Sequence, residues 1–238
     1  MKLLAIESAA LVASVAVVEE AVTLAEYTLN TKLTHSQTLL PLIDDILRQT
    51  GLKGADLDAI AISAGPGSFT GLRIGAATAK ALGTAWQKPL VPVPTLDAMA
   101  QGLWGCRYLI CPIMDARRNQ VYTAQYLFTE EGRRESIREA QAMAIEDLLD
   151  SLIQRNCPVL FTGDGVPVFQ DVIREKMQDW AFFAPPHMNR QRAAAVGALG
   201  LEMLQEGITV DAERFAPFYL RVSQAERERA EREGRKDG

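Results

Sequence analysis

The sequence predicts an α/β fold: mixed, mainly parallel sheets flanked by helices, in two related lobes. Three observations predict it. From Leu57 onward, apolar runs of strand length alternate with stretches of helix length. The run "LDAIAIS" (57–63) is almost continuously apolar, as in a strand covered on both faces. An opening pattern also recurs: "LLAIESAALVASVAVV" and "YLICPIMDARRNQVYTAQYLF" each read as an apolar strand ending in an acid, a turn and a second strand. Glu7 holds in the first the position that Asp115 holds in the second, which suggests two halves facing each other across a cleft.

The elements follow in order. "KLLAIES" and "LVASVAVV" form paired strands turning at Ala9-Ala10, and "TLAEYTLN" is a third strand. In "THSQTLLPLIDDILRQTGLKG", Leu39, Leu42 or Ile43, Ile46 and Leu47 recur at helical spacing. Thr34 or Ser36 caps this helix, Gly51 ends it, and Pro41 is expected to bend its first turns. After "LDAIAIS" comes a helix from Phe69 to Trp86, a short strand "PLVPVP" and a helix "TLDAMAQGLW". Beyond the second hairpin, helices are expected in "EDLLDSLIQRN", "PVFQDVIREKMQ" and "AAAVGALGLEMLQEG", with strands in "PVLFTGDGV" and "AFFA". The expected organisation is a first lobe over 1–104, a second over 105–221 and a charged, disordered tail over 222–238.

Composition narrows the class. A chain of 238 residues, 48% hydrophobic and 23% charged, can bury a full core without staples. The formal charge of −5 gives no broad electrostatic basis for gripping nucleic acid unaided. Cys106, Cys111 and Cys157 form no CxxC and read as reduced thiols of a cytoplasmic protein. Glu7 interrupts the apolar N-terminus, which argues against a targeting signal, and no uncharged run approaches the ~18 residues of a membrane span.

The stretch "GPGSFTGLRIG" (65–75) sits between a strand and a helix, where phosphate loops occur. It has no lysine for a P-loop and is one residue too long for GxGxxG. Further on, Gly71, Gly75, Ala79 and Gly83 stand four apart, so one helix face is nearly bare. Each of three glycines costs about 1 kcal/mol relative to alanine in a helix. That cost makes sense where another backbone approaches closely. The spacing leaves open whether that backbone belongs to the chain's own sheet and first helix or to a partner.

Other candidates are sparser. His35 is followed at i+4 by Leu39, and His187 is the only other histidine, so no metal site is expected. Glu7 and Asp115 could bracket a cleft and hold Mg²⁺ through water. Gly163-Asp164-Gly165 reads as a tight turn or as a loop beneath a nucleobase. No GxSxG elbow is present.

Taken together, "LLAIESAALVASVAV", "HSQTLLPLIDDIL", "LDAIAISAGPGSFTGLRIGAATAKAL", "VPVPTLDAMA", "DARRNQVY", "GDG" and "PFYLR" resemble the TsaB (YeaZ) family, from residue 2 to about 221. The resemblance implies the actin/Hsp70-like fold. It also implies a catalytically silent relative of TsaD, the transferase that forms N6-threonylcarbamoyladenosine (t6A) at position 37 of ANN-reading tRNAs. Such a subunit pairs with TsaD through the first two helices, is joined by the ATPase TsaE, and forms homodimers when alone. tRNA would be met only through the complex. No tightly bound cofactor is expected, although ATP or ADP could lodge at a shared interface.

The sequence departs from the active pattern in two places. TsaD-like enzymes carry HxxxH on the first helix, whereas His35 stands without a second histidine. The phosphate hairpin of active members is replaced by Glu7-Ser8-Ala9-Ala10, which lacks the glycine that lets phosphate approach the backbone. Position 7 is also usually Asp in the TsaB pattern, and Glu7 is one methylene longer. On this reading the docking surface comprises His35, Leu39, Leu42, Ile43 and Ile46 of the first helix. From the second come Ser68, Gly71, Leu72, Ile74, Gly75, Thr78, Ala79 and Leu82. The competing readings are an ATPase of the same fold, a metal-dependent peptidase, which the missing HxxxH opposes, and a homodimeric scaffold for another partner.

Overall fold

The computed structural model describes residues 1–20 and 22–221; the tail expected over 222–238 lies outside the described residues. The first sheet has the order β3-β2-β1-β4-β5, formed by β1 (Lys2–Glu7), β2 (Ala13–Glu19), β3 (Val22–Leu29), β4 (Ala59–Gly65) and β5 (Leu90–Pro94). The second has the order β8-β7-β6-β9-β10, formed by β6 (Leu109–Asp115), β7 (Gln120–Phe128), β8 (Arg134–Ala144), β9 (Val159–Thr162) and β10 (Ala181–Phe183). In each sheet the first three strands are antiparallel and the last two join in parallel, so one topology occurs twice. The hairpin recurrence read from the sequence is the visible part of this duplication.

The sheets are therefore evenly mixed rather than mainly parallel, and β8 is the strand that the sequence did not announce. "RESIREAQAMA" lacks β-branched residues apart from Ile137 and carries four charges. Such a composition suits an edge strand, where charge discourages pairing with a foreign chain.

The six helices follow from local signals. α1 (His35–Thr50) starts with a capping box of Thr34 and Gln37 and ends at Gly51 in the left-handed region, φ 69°. It continues unbroken through the exposed Pro41. α2 (Phe69–Trp86) is capped by Ser68, whose hydroxyl accepts from the Gly71 amide at 3.3 Å. α3 (Thr95–Gln101), α4 (Ile145–Ile153), α5 (Val166–Met177) and α6 (Ala193–Gln205) complete the set among the described residues.

Alternation along β1 sorts the layers. Leu4 and Ile6 face Leu39, Ile43 and Ile46 of α1 and Ala76 and Ala79 of α2. Leu3 and Ala5 face Ala193, Val196 and Leu199 of α6. In the second sheet, Cys111 and Ile113 pack on α4 and α5, while Ile110, Met114 and Tyr126 pack on Leu96 and Met99 of α3, on Leu103 just after it and on Ala9 and Ala10. α3 is thus shared between the lobes. The boundary expected at 104 separates the sheets, but the chain does not stay in the second lobe. α6 covers the first sheet, because the apolar face of β1, β2, β4 and β5 opposite α1 and α2 needs a cover, and Ala212 and Phe215 join the core on the α1–α2 side.

Candidate functional site

The ridge of Gly71, Gly75, Ala79 and Gly83 points inward. The Ser8 hydroxyl donates to the Gly71 carbonyl at 3.0 Å. A methyl group at Gly71 would collide with the Ser8 carbonyl oxygen, and one at Gly75 with the Ser8 hydroxyl. Ala79 belongs to the first core, and a methyl group at Gly83 would press on Ala212 and Leu90. The backbone that this ridge admits is the chain's own β1–β2 turn.

The expectation of a docking face is corrected for those of its residues that the fold buries. His35, Leu39, Ile43, Ile46, Gly71, Leu72, Gly75 and Ala79 are buried; Leu42, Ile74, Thr78 and Leu82 are half-buried, and Ser68 is exposed. The outward face of the layer presents other residues. α1 exposes Leu40 (54%) and Pro41, just after Leu33 (56%), and α2 exposes Arg73, Ala77, Ala81 and Ala85. This outer stripe repeats the four-residue spacing of the inner ridge, two residues further along and on the far side of the helix.

His35 is a structural residue. Its Nε2–H donates to the Ala10 carbonyl at 2.7 Å, joining the start of α1 to the β1–β2 turn. No group of three or more His, Cys, Asp or Glu able to hold a metal occurs among the described residues.

The hairpin turns do face each other across a cleft of about 510 Å³, lined by Ala9–Leu11, Gly67–Thr70, Met114–Arg117, Tyr122, Asp164, Val168 and Tyr219–Arg221. Glu7 is not on its wall. It is 1% exposed, and its Oε1 accepts from the Ala9 amide at 2.6 Å. Burial raises its pKa to about 7, with the charge of Asp164 adding to the rise. Asp115 does line the cleft, but Arg117 holds both its oxygens, through the amide at 2.8 Å and the guanidinium at 3.0 Å. Asp164 accepts from Gln191 Nε2 at 2.9 Å, and burial raises its pKa despite that bond. Gly163 and Gly165 press on β6 over the Ile113 carbonyl, which accepts from the Gly165 amide at 3.0 Å; they are close-packing residues.

This cleft does not fit a nucleotide held in the manner of active phosphate hairpins. At the first turn the Ala9 amide is engaged by Glu7, and the Ala9 carbonyl accepts from Ser68 at 2.6 Å. Gly67 lies so close that a Cβ there would strike that carbonyl. The start of α2 thus fills the space above the turn. Nor do the acids fit Mg²⁺: Glu7 is sealed away and Asp115 is neutralised.

A segment that the sequence left as part of a motif proves to be a strap. The Phe218 amide donates to the Ala64 carbonyl at 2.7 Å, and Tyr219 meets Phe69 with ring centroids 4.9 Å apart. Arg221 Nη1 then donates to the Ala116 carbonyl at 2.9 Å, so "PFYLR" crosses from the first lobe to the second hairpin. Gly65, at φ 115°, lies directly under the Phe218 carbonyl.

Comparison with known proteins agrees with this architecture. Residues 23–229 match the family model described as TsaD, tRNA N6-adenosine threonylcarbamoyltransferase. A Bacillus subtilis protein named tRNA threonylcarbamoyladenosine biosynthesis protein TsaB is 31% identical over 226 residues, covering 95% of this chain and 96% of its own length. The chain belongs to the TsaB family, within the wider TsaD-related family. That family acts in t6A biosynthesis. The structure of YeaZ from Pseudomonas aeruginosa superposes with a TM-score of 0.75 at 26% identity, covering 92% of this chain and 99% of that one. An activator of 2-hydroxyisocaproyl-CoA dehydratase from Clostridium difficile, solved with bound ADPNP, shares the actin/Hsp70-like fold at 9% identity, TM-score 0.50, over 87% of this chain and 97% of its own. No described helix is long and apolar enough to cross a membrane.

Proposed function

We propose that this TsaB-family chain is a non-catalytic subunit that binds and activates the TsaD transferase in t6A synthesis, with TsaE joining the pair. The docking surface is the outer face of α1 and α2: Leu33, Leu40 and Pro41, with Ala77, Ala81 and Ala85 and the half-buried Leu42, Ile74, Thr78 and Leu82. One observation carries this placement: the helix layer exposes two large aliphatic side chains beside a stripe of small ones. Small residues let a second helix pair approach, and the leucines supply the hydrophobic term. A stable contact needs roughly 1,200 Å² of buried surface, which two helices from each side can provide. The same face would pair two copies of this chain when TsaD is absent.

Catalytic silence is supported by the engaged turn at Ala9 and by the structural role of His35. The isolated chain is expected to hold no nucleotide tightly, and any ATP or ADP would sit at the shared interface. Activation follows if docking favours a competent state of TsaD by binding that state more tightly.

The test is Ala81→Arg. Position 81 is exposed, so the chain should fold as before and lose co-elution with TsaD. Unchanged affinity for TsaD would remove the docking face. Formation of t6A by this chain alone, given tRNA and threonylcarbamoyl adenylate, would remove the non-catalytic assignment.

A further inference from the structure

We propose that the mouth of the inter-lobe cleft is a surface on which this chain contacts single-stranded RNA directly. The choice of RNA rests on the function proposed above; the surface rests on its own geometry. Arg117 of the β6–β7 turn and Arg221 of the strap line the cleft; Arg73, exposed on the first turns of α2, stacks on the cleft-lining Phe69, and the exposed Arg118 follows Arg117 in its turn. The chain as a whole carries a charge of −5, so this clustering is local. Of these four arginines, only Arg117 has a carboxylate partner among the described residues, Asp115; Arg73, Arg118 and Arg221 form no ion pair with them.

Aromatic rings lie between these cations. The Arg73 guanidinium sits 3.8 Å from the Phe69 ring centroid, and Phe69 meets Tyr219. Phe218 is 56% exposed and Tyr219 36%, on the strap that carries Arg221. Guanidinium groups grip phosphate by paired hydrogen bonds, and exposed rings stack unpaired bases. A duplex keeps its bases stacked inside, so the combination favours a single strand. The carboxylate of Asp164 on the cleft wall repels phosphate, which keeps the strand at the rim and out of the cleft.

The experiment is fluorescence anisotropy of the full chain, without TsaD, against a fluorescein-labelled single-stranded RNA of about ten nucleotides and its annealed duplex. The single strand should bind more tightly than the duplex. Its log K should fall with log salt at a slope between about −2 and −3, for three or four arginines on phosphate. Arg73→Ala with Arg221→Ala should flatten that slope by about 1.4. Tyr219→Ala should weaken binding about fivefold or more with the slope unchanged. Arg118→Ala removes a side chain without a hydrogen-bonded partner among the described residues and should flatten the slope by about 0.7 even if the strap variants misfold. Equal binding of duplex and single strand, no binding at about 50 mM salt, an unchanged slope for Arg118→Ala, or full displacement by polyglutamate would each overturn the proposal. Because TsaD is absent, these outcomes are independent of the Ala81→Arg result.

Discussion

The Ser8 hydroxyl donates to the Gly71 carbonyl at 3.0 Å, inside the first lobe, and this contact explains why α2 can be so poor in side chains. Ser8 directly follows the central strand β1, and Gly71 lies in the first turn of α2. Each glycine along the inner face removes a methyl group that would otherwise meet the β1–β2 turn or the core.

Gly75→Ala should therefore destabilise the monomer rather than merely weaken a complex. The new methyl meets the buried Ser8 hydroxyl and Ile62, an overpacking of about 1–3 kcal/mol that offsets alanine's gain in helix propensity. Thermal unfolding should show a midpoint lower by several degrees, whereas Ala81→Arg should leave it within about a degree or two. Equal midpoints for Gly75→Ala and the parent chain would contradict the inward ridge.

Glu7→Gln should change the pH dependence of stability. Folding raises the Glu7 pKa from 4.5 to about 7. Between those values the folded chain holds a proton that the unfolded chain has released, so this group's contribution falls as pH rises. The effect is fully developed above pH 7 and amounts to roughly 3 kcal/mol. Gln keeps the acceptor for the Ala9 amide without the charge. Urea titrations should find the variant more stable than the parent at pH 8 and nearly equal to it at pH 4.5; the reverse order would refute the burial argument.

His35→Ala should lower stability without any metal phenotype. It deletes the bond to the Ala10 carbonyl and leaves a buried acceptor unpaired, a loss of about 1–3 kcal/mol. Zinc or a chelator should shift the melting point of neither protein. A zinc-dependent rise seen in the parent and absent from the variant would restore a metal role.

Gly65→Ala should loosen the strap. The substitution places a side chain at φ 115° and drives it into the Phe218 carbonyl. Hydrogen exchange of the Phe218 amide, now bonded to Ala64, should accelerate while amides in β6 keep their protection. Unaltered exchange at Phe218 would show that the strap does not depend on Gly65.

Much of the molecule was legible in the chain. Thr34 and Gly51 bound α1, Phe69 and Trp86 bound α2, and the repeated hairpins announced two lobes, because caps, turns and apolar periodicity act over a few residues. The motif blocks also carried the family. Tertiary structure alone decided what those residues face. Gly71, Gly75 and Ala79 share four-residue spacing with Arg73, Ala77 and Ala81, and periodicity cannot tell which stripe meets the core. Contact with Ser8, more than sixty positions away, makes that choice. The same holds for Glu7, whose burial depends on elements around it, for β8, which is a strand because β7 offers an edge, and for α6, which returns to the sheet that lacked a cover. Local sequence sets an element's type and faces; the partner for each face comes from parts of the chain that meet only on folding.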